Sequence, residues 1–199
     1  FASKTVARVT SNVQDQIGPR IAVDGANGVY LVWTDFRNGA ADVYGAASNS
    51  GPWTNVAVAA GAGSQSAPDI AAEPGGYSLH FVWVNRVDNQ DDVFYGTSIG
   101  LPASPLAGIN IIDDTSSADQ RTPVIVASGS GGTARVFAVW KDFRNAADGL
   151  DTDLYVAEIK EGSVTNLFVG DGWTRTNQTE PCIGVDLFGR PYVVWTDDR

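Results

Sequence analysis

Three scarcities narrow the reading of this chain before any motif is considered: it has no methionine, one cysteine and one histidine in 199 residues. A single Cys182 excludes an internal disulfide and any cysteine-based metal cluster. Set in the apolar run PCIGVD, it reads as a small buried hydrophobe. His80, inside YSLHFVW, reads as a strand residue; alone it supplies neither the usual zinc ligand set nor a Ser-His-Asp arrangement. Long apolar runs are also missing. No segment has the ~20 residues that a bilayer-crossing helix needs, so membrane insertion is not expected. Positive charge is scarce too: 13 basic against 23 acidic residues give a net charge of −10. Such a field repels phosphate backbones and anionic lipid, which removes nucleic acid from the expected partners. No long window places apolar residues at i, i+3, i+4 and i+7, so amphipathic helices are not expected either.

What the chain has in quantity is glycine, with 22 residues, and hydrophobic side chains at 43%. That balance suits an all-β protein with many tight turns. A start at Phe1 reads as a mature or excised piece of a longer precursor.

The dominant signal is internal repetition. Trp33, Trp83, Trp140 and Trp195 stand 50, 57 and 55 residues apart. A Gln-x-x-Pro word precedes each, at 16–19, 65–68, 120–123 and 178–181, with Pro-to-Trp distances of 14, 15, 17 and 14. An acidic-aromatic word follows three of them: DVYGA at 42–46, DVFYG at 92–96 and DLYVA at 153–157. Each unit reads as four short strands, illustrated by PRIAVD, VYLVWTD, DVYGAAS and TNVAVAA. Four-stranded units of this length, repeated, predict an all-β fold: a β-propeller of antiparallel four-stranded blades. The units fall approximately at 16–64, 65–119, 120–177 and 178–199, with a further N-terminal strand over 4–11, in one domain spanning 1–199. The last unit holds only two strands, so about 3.5–4 blades are present. The expectation is a part of a larger ring, or chains that complete each other as a homo-oligomer through exposed blade edges.

Propeller topology puts the loop entering a first strand on the same face as the loop joining second and third strands. Gln16, Gln65, Gln120 and Gln178 then share a face with Asp35, Arg37, Asp142, Arg144, Asp197 and Arg199. Asn85 and Arg86 form the degenerate second copy, and Asp42, Asp92 and Asp153 open the third strands at the same level. Recurrence in every unit favours a structural role, with Arg pairing to carboxylates inside the loop and the tryptophans packing between blades. The functional alternative is a polar mouth in which Asp35, Arg37, Asp42, Asn85, Arg86, Asp142, Arg144, Asp153, Asp197 and Arg199 bind a carbohydrate or protein ligand. The acidic loops carrying Asp88, Asp91 and Asp92, and Asp148, Asp151 and Asp153, offer oxygens to Ca²⁺ but lack the spacing of a calcium-hand motif; otherwise no cofactor is expected. GSGG at 129–132 lies between two strands and reads as a turn, not a phosphate cradle.

The units QxxPxIAVDxxGxVYLVWTDFRNGxxDVYxAxS resemble the sialidase-like (BNR/Asp-box) propeller repeats of secreted bacterial proteins, and SNSGPWT at 48–54 is similar to a degenerate Asp-box. The resemblance covers nearly the whole chain and implies the propeller fold and a secreted, extracellular location. It does not carry sialidase activity. PRI at 19–21 is not the Arg-Ile-Pro word, and no Tyr/Glu pair can be placed. Of the four glutamates, Glu73 and Glu180 lie by first strands and Glu158 and Glu161 near an outer edge, none with an evident partner. Two readings follow: a non-catalytic extracellular module or scaffold, or a sialidase-like glycoside hydrolase using paired carboxylates on the channel face.

Overall fold

The computed structural model describes residues 7–48, 52–76, 78–101, 106–113, 117–146, 151–160, 163–169 and 176–199. The first sheet contains β1 (Gln16–Val23), β2 (Val29–Asn38), β3 (Ala40–Ser48) and β4 (Thr54–Ala59), hydrogen-bonded in that order. The second contains β5 (Ser64–Ala72), β6 (Ser78–Val87), β7 (Gln90–Ile99) and β8 (Ala107–Ile111). The third contains β9 (Gln120–Ser128), β10 (Arg135–Asp142), β11 (Asp153–Lys160) and β12 (Ser163–Phe168). The fourth has two strands, β13 (Gln178–Val185) and β14 (Pro191–Asp197). Neighbouring strands in every sheet are antiparallel, and first strands of successive sheets lie side by side, so the molecule is a partial β-propeller.

β1, β9 and β13 start at their Gln, three residues before the proline where the sequence places the strand entry, and β5 starts one residue earlier still, at Ser64. The intervening word makes a bulge. Register slips between Ile17 and Arg20, Ser66 and Asp69, and Thr179 and Cys182, and opposite β9 between Val139 and Lys141. The residue before each proline carries a left-handed φ: Gly18 61°, Ala67 49°, Thr122 52° and Glu180 52°. Proline then occupies a position that needs no ladder donor.

Blades pack by one recurring contact. The valine before each Trp meets the isoleucine two residues after the next blade's proline: Val32 shares a core with Ile70, Val82 with Ile125, and Val139 with Ile183. The two ends of the arc lack that partner. Ile21 is 62% exposed whereas Ile70 and Ile125 are 4% and 7%; Val194 is 64% exposed whereas Val32, Val82 and Val139 are 0%. The same cause corrects the reading of Cys182, which is exposed because no following blade covers its half-blade.

Residues 7–11, the described part of the expected strand 4–11, lie in no strand. They nonetheless occupy the place of a preceding blade's exit. Asn55 Nδ2 donates to the Val9 carbonyl at 2.8 Å, and its counterpart Asn166 donates to the carbonyl of Ile112, just past β8, at 3.2 Å. The centre of the Asp-box-like stretch, residues 49–51, lies outside the described residues.

Candidate functional site

The strand register gathers the repeated polar residues along one rim. Gln16 faces Asp35, which faces Asp42; Gln65 faces Asn85, which faces Asp92. Gln120 faces Asp142, which faces Asp153, and Gln178 faces Asp197. The expected common face therefore forms, and the hydrogen bonds show what its residues do there.

In the first blade Asp35 is fully buried and accepts from Trp33 Nε1 at 2.8 Å, Arg37 Nε at 2.9 Å and Arg37 Nη2 at 2.6 Å. The Arg37 guanidinium lies over the Tyr44 ring, 3.8 Å from its centroid, and Asn38 donates to Asp42 at 2.8 Å. The third blade repeats the set: Trp140 to Asp142 at 3.2 Å, Arg144 Nη2 to Asp142 at 2.6 Å, Arg144 over Tyr155 at 3.9 Å, and Asn145 to Asp153 at 2.5 Å. Burial pushes the Asp35 carboxyl up, but the bonds from Arg37 and Trp33 outweigh it and hold the pKa below the usual carboxylate range. Its bond to Asp142 raises the Arg144 guanidinium further above its ordinary value. These groups hold the ends of their hairpins, and Arg144 also binds Asp113, just past β8 of the second sheet, at 2.6 Å. Arg199 repeats the bond to Asp197 at 3.0 Å in the last unit.

The second blade departs from the pattern. Asn85 accepts from Gln65 at 2.8 Å, and Asp91 is held by Arg86 at 3.5 Å and by Arg121 of the next blade at 2.8 Å. Of the residues considered for Ca²⁺, Asp91 thus turns both oxygens to arginines, and Asp92 is engaged by Gln90 at 2.9 Å. Asp88 sits in a tight turn with φ 51°, Asp153 is bound by Asn145, and Asp148 lies outside the described residues. Among the described residues no three His, Cys, Asp or Glu side chains, Asp151 included, converge as a metal site.

Three glutamates have partners that the sequence did not reveal. Glu73 lies 3.3 Å from His80 Nε2 and accepts from the Gly131 amide at 2.9 Å; His80 Nδ1 meets the Tyr95 hydroxyl at 2.8 Å. Glu158 binds Arg135 at 2.8 Å, and Glu180 accepts from Thr196 at 3.1 Å. Glu161 lies outside the described residues.

Open space occurs both beside the rim, in a cavity of about 390 Å³ between β4 and the second sheet that reaches Gln65, Asn85, Trp83 and Phe94, and, with a larger volume, at the axis. A cavity of about 600 Å³ lies where all four first strands converge, walled by the bulges at Ile17–Gly18, Ser66–Pro68, Thr122–Val124 and Glu180–Pro181, with Thr34 and Phe36 from β2. A neighbouring cleft of about 330 Å³ shares Ser66, Ala67 and Thr122 and reaches Arg86, Asp91 and Arg121. Arg20 lines the larger cavity and lies 3.7 Å from Asp69, which also accepts from the Ile125 amide at 2.9 Å. Burial raises the Asp69 carboxyl above its ordinary value. Ile17, Phe36, Pro68, Pro123, Val124 and Pro181 offer apolar wall, and Arg20, Thr34, Ser66, Thr122 and Glu180 offer hydrogen bonds. Sequence reasoning missed this lining. A signal existed: the residue after each proline varies as Arg20, Asp69, Val124 and Cys182 while its surroundings repeat.

Neither a protein-family model nor a curated protein sequence matches the chain. Its fold is similar to that of an α-L-arabinanase of Penicillium chrysogenum solved with arabinobiose, at TM-score 0.63 and 10% identity over 96% of this chain and 60% of that one. A GH62 hydrolase solved with xylotriose follows at TM-score 0.51 and 8% identity, over 92% of this chain and 65% of that one. The chain thus spans less than two thirds of either protein, and the likeness carries the propeller fold.

Proposed function

We propose that this chain is part of a secreted, non-catalytic propeller that binds carbohydrate in the axial cavity. The carrying observation is the division of labour between rim and axis. Asp35, Arg37, Asp142 and Arg144 are engaged with one another inside the rim, Arg144 also with Asp113 just past β8, whereas the cavity presents apolar wall beside an arginine and hydroxyl groups. Sugars present apolar ring faces between hydroxyls, and a concave site with few convergent polar groups matches that chemistry. The solved structures of similar fold were obtained with arabinobiose and xylotriose, which makes these two sugars the natural first probes.

A second reading has one specific observation in its favour. Asp69, held in a buried site with a raised pKa beside the cavity, has the character of a general acid, and Glu180 lines the same space. One experiment separates the two: calorimetric titration with arabinobiose, xylotriose and a wider oligosaccharide panel, with product analysis by chromatography. Saturable binding without product, weakened at least tenfold in Arg20→Ala, supports the module. Product release that disappears in Asp69→Asn establishes the hydrolase.

A further inference from the structure

The second blade departs from the Trp-Asp-Arg set at three positions, and a hollow stands where the departures meet. In the first and third blades the carboxylate two residues after the tryptophan, Asp35 or Asp142, holds the guanidinium two residues further on, Arg37 or Arg144. The ring opposite the tryptophan, Tyr44 or Tyr155, lies beneath that guanidinium. After Trp83 the same places hold Asn85 and Val87, and the ring opposite is Phe94. Val87 has no guanidinium to lay over that ring. The loop leaving β4, Ala60-Gly61-Ala62, brings only small residues, whereas the loop leaving β8 sends Asp113 to Arg144 at 2.6 Å. The cavity of about 390 Å³ fills this place, between two complete four-stranded sheets.

Two polar groups at its wall lack the partner that their counterparts have. Gln120 Oε1 accepts from the Val93 amide at 3.1 Å, but Gln65 Oε1 is buried with no hydrogen-bond partner, in a residue only 4% exposed. Trp33 and Trp140 give their indole N–H to Asp35 and Asp142; after Trp83 the corresponding oxygen, on Asn85, takes the Gln65 amide at 2.8 Å instead. An unmatched acceptor and an unmatched donor thus border one hollow, with Val58, Phe94 and Leu106 as apolar wall. The described residues lining it include no charged side chain, so neither an anion nor a cation finds a counter-ion there. A neutral amide matches this wall: its N–H suits Gln65 Oε1, its carbonyl the Trp83 indole, and a methyl the aliphatic residues. The volume lies in the range of small-molecule sites and has room for more than the amide alone.

We propose that this cavity between the first and second blades is a binding site for an N-acetylated amino sugar, held by its acetamido group and separate from the axial cavity. Gln65 accepts from the acetamido N–H, Trp83 donates to its carbonyl, and the sugar ring lies against Phe94. A sugar without the acetamido group leaves Gln65 Oε1 buried and unmatched, which is the basis of selectivity. The site stands independently of the axial reading, and either can fail alone.

The test titrates the intact chain with N-acetylglucosamine, N-acetylgalactosamine and N-acetylmannosamine, with glucose as the sugar lacking the amide, and follows ¹⁵N-labelled protein by NMR. At least one acetamido sugar should saturate, glucose should bind at least tenfold more weakly, and the Trp83 indole N–H signal should move. Asn85→Asp with Val87→Arg rebuilds the set of the other blades inside the hollow and should weaken binding at least tenfold in a chain whose circular dichroism is unchanged. If that pair of changes unfolds the chain, Ala57→Trp, at an exposed residue of the lining, blocks the same space and should weaken binding equally. No saturable binding of any of the three sugars by the folded chain overturns the proposal, as does equal binding of glucose. Full binding by a folded blocking variant also overturns it. Shifts at Gly18 and Thr122 with the Trp83 indole unmoved place the sugar at the axis, which overturns this site and leaves the axial one standing.

Discussion

The indole Nε1 of Trp33 donates to Asp35 Oδ2 at 2.8 Å, and two residues further on Arg37 closes on the same carboxylate. The arrangement returns at Trp140, Asp142 and Arg144. A buried carboxylate holding an indole and a guanidinium is a fastener for the end of a hairpin. Its geometry leaves little for a ligand to take, which is why the axis rather than the rim carries the binding proposal.

Asp142→Ala strips this fastener while leaving Arg144 its second partner, Asp113, at 2.6 Å. Unfolding free energy should fall by about 2–3 kcal/mol in urea titration. The matched Asp197→Ala change in the half-blade should cost clearly less, since Asp197 and Arg199 are the more solvated pair.

The pH dependence has a defined sign. Asp35 is held below the usual carboxylate pKa in the folded chain, so its contribution is complete above the unfolded value of about 3.9 and is lost as pH falls through the folded value. Asp35→Asn should lower stability at neutral pH and flatten that acid limb. Asp69 runs the other way: its pKa is raised, so its stabilising contribution is present below the unfolded value and is lost as pH rises through the folded one. Asp69→Asn, which keeps an acceptor for the Ile125 amide, should raise the melting temperature at pH 7 and leave it unchanged at pH 3.

His80 occupies the position that Tyr30 holds in the first blade, each beside an acid, Glu73 and Asp24. Burial lowers the His80 pKa despite the bond to Glu73, so its contribution is complete above about 6.5 and is lost as pH falls through the folded value. His80→Tyr restores the repeat's own solution and should remove the loss of stability on going from pH 7 toward pH 5, measured by thermal melts.

Blade packing predicts an asymmetry between identical substitutions. Val139→Ala, inside a blade-to-blade contact, should cost about 2 kcal/mol, and Val194→Ala, on the open end, close to nothing. Equal costs in denaturant titration would mean that the end of the arc is covered.

The strained bulges make a further prediction. Ala67 and Thr122 hold a left-handed φ that side chains disfavour, so Ala67→Gly and Thr122→Gly should each stabilise by about 0.5–1 kcal/mol. Strain retained at the wall of a cavity accords with a site selected for shape.

The fold was legible because repetition reports itself: Trp, Gln-x-x-Pro and the acidic-aromatic word mark second, first and third strands without knowledge of packing. The shared rim of Gln16, Asp35 and Asp42 was legible for the same reason. The cavity was not. Gln-x-x-Pro looks like a strand entry, and only a left-handed residue before each proline turns it into a bulge that walls the axis. Cys182 misled because an apolar run implies burial only when a neighbouring blade is there to cover it. Glu73, just past the end of β5, and His80, on β6, lie seven residues apart, a proximity that composition does not show.

The central claim is that ligand enters the axis and leaves the rim loops untouched. The most direct measurement is amide chemical-shift mapping while a binding oligosaccharide, arabinobiose or xylotriose first, is titrated to saturation. The account predicts shifts at Gly18, Phe36, Ala67, Thr122 and Glu180, the bulges and β2 wall of the cavity. Shifts confined to Arg37, Asn38, Arg144 and Asn145, or no saturable response to any sugar of the panel, would contradict it.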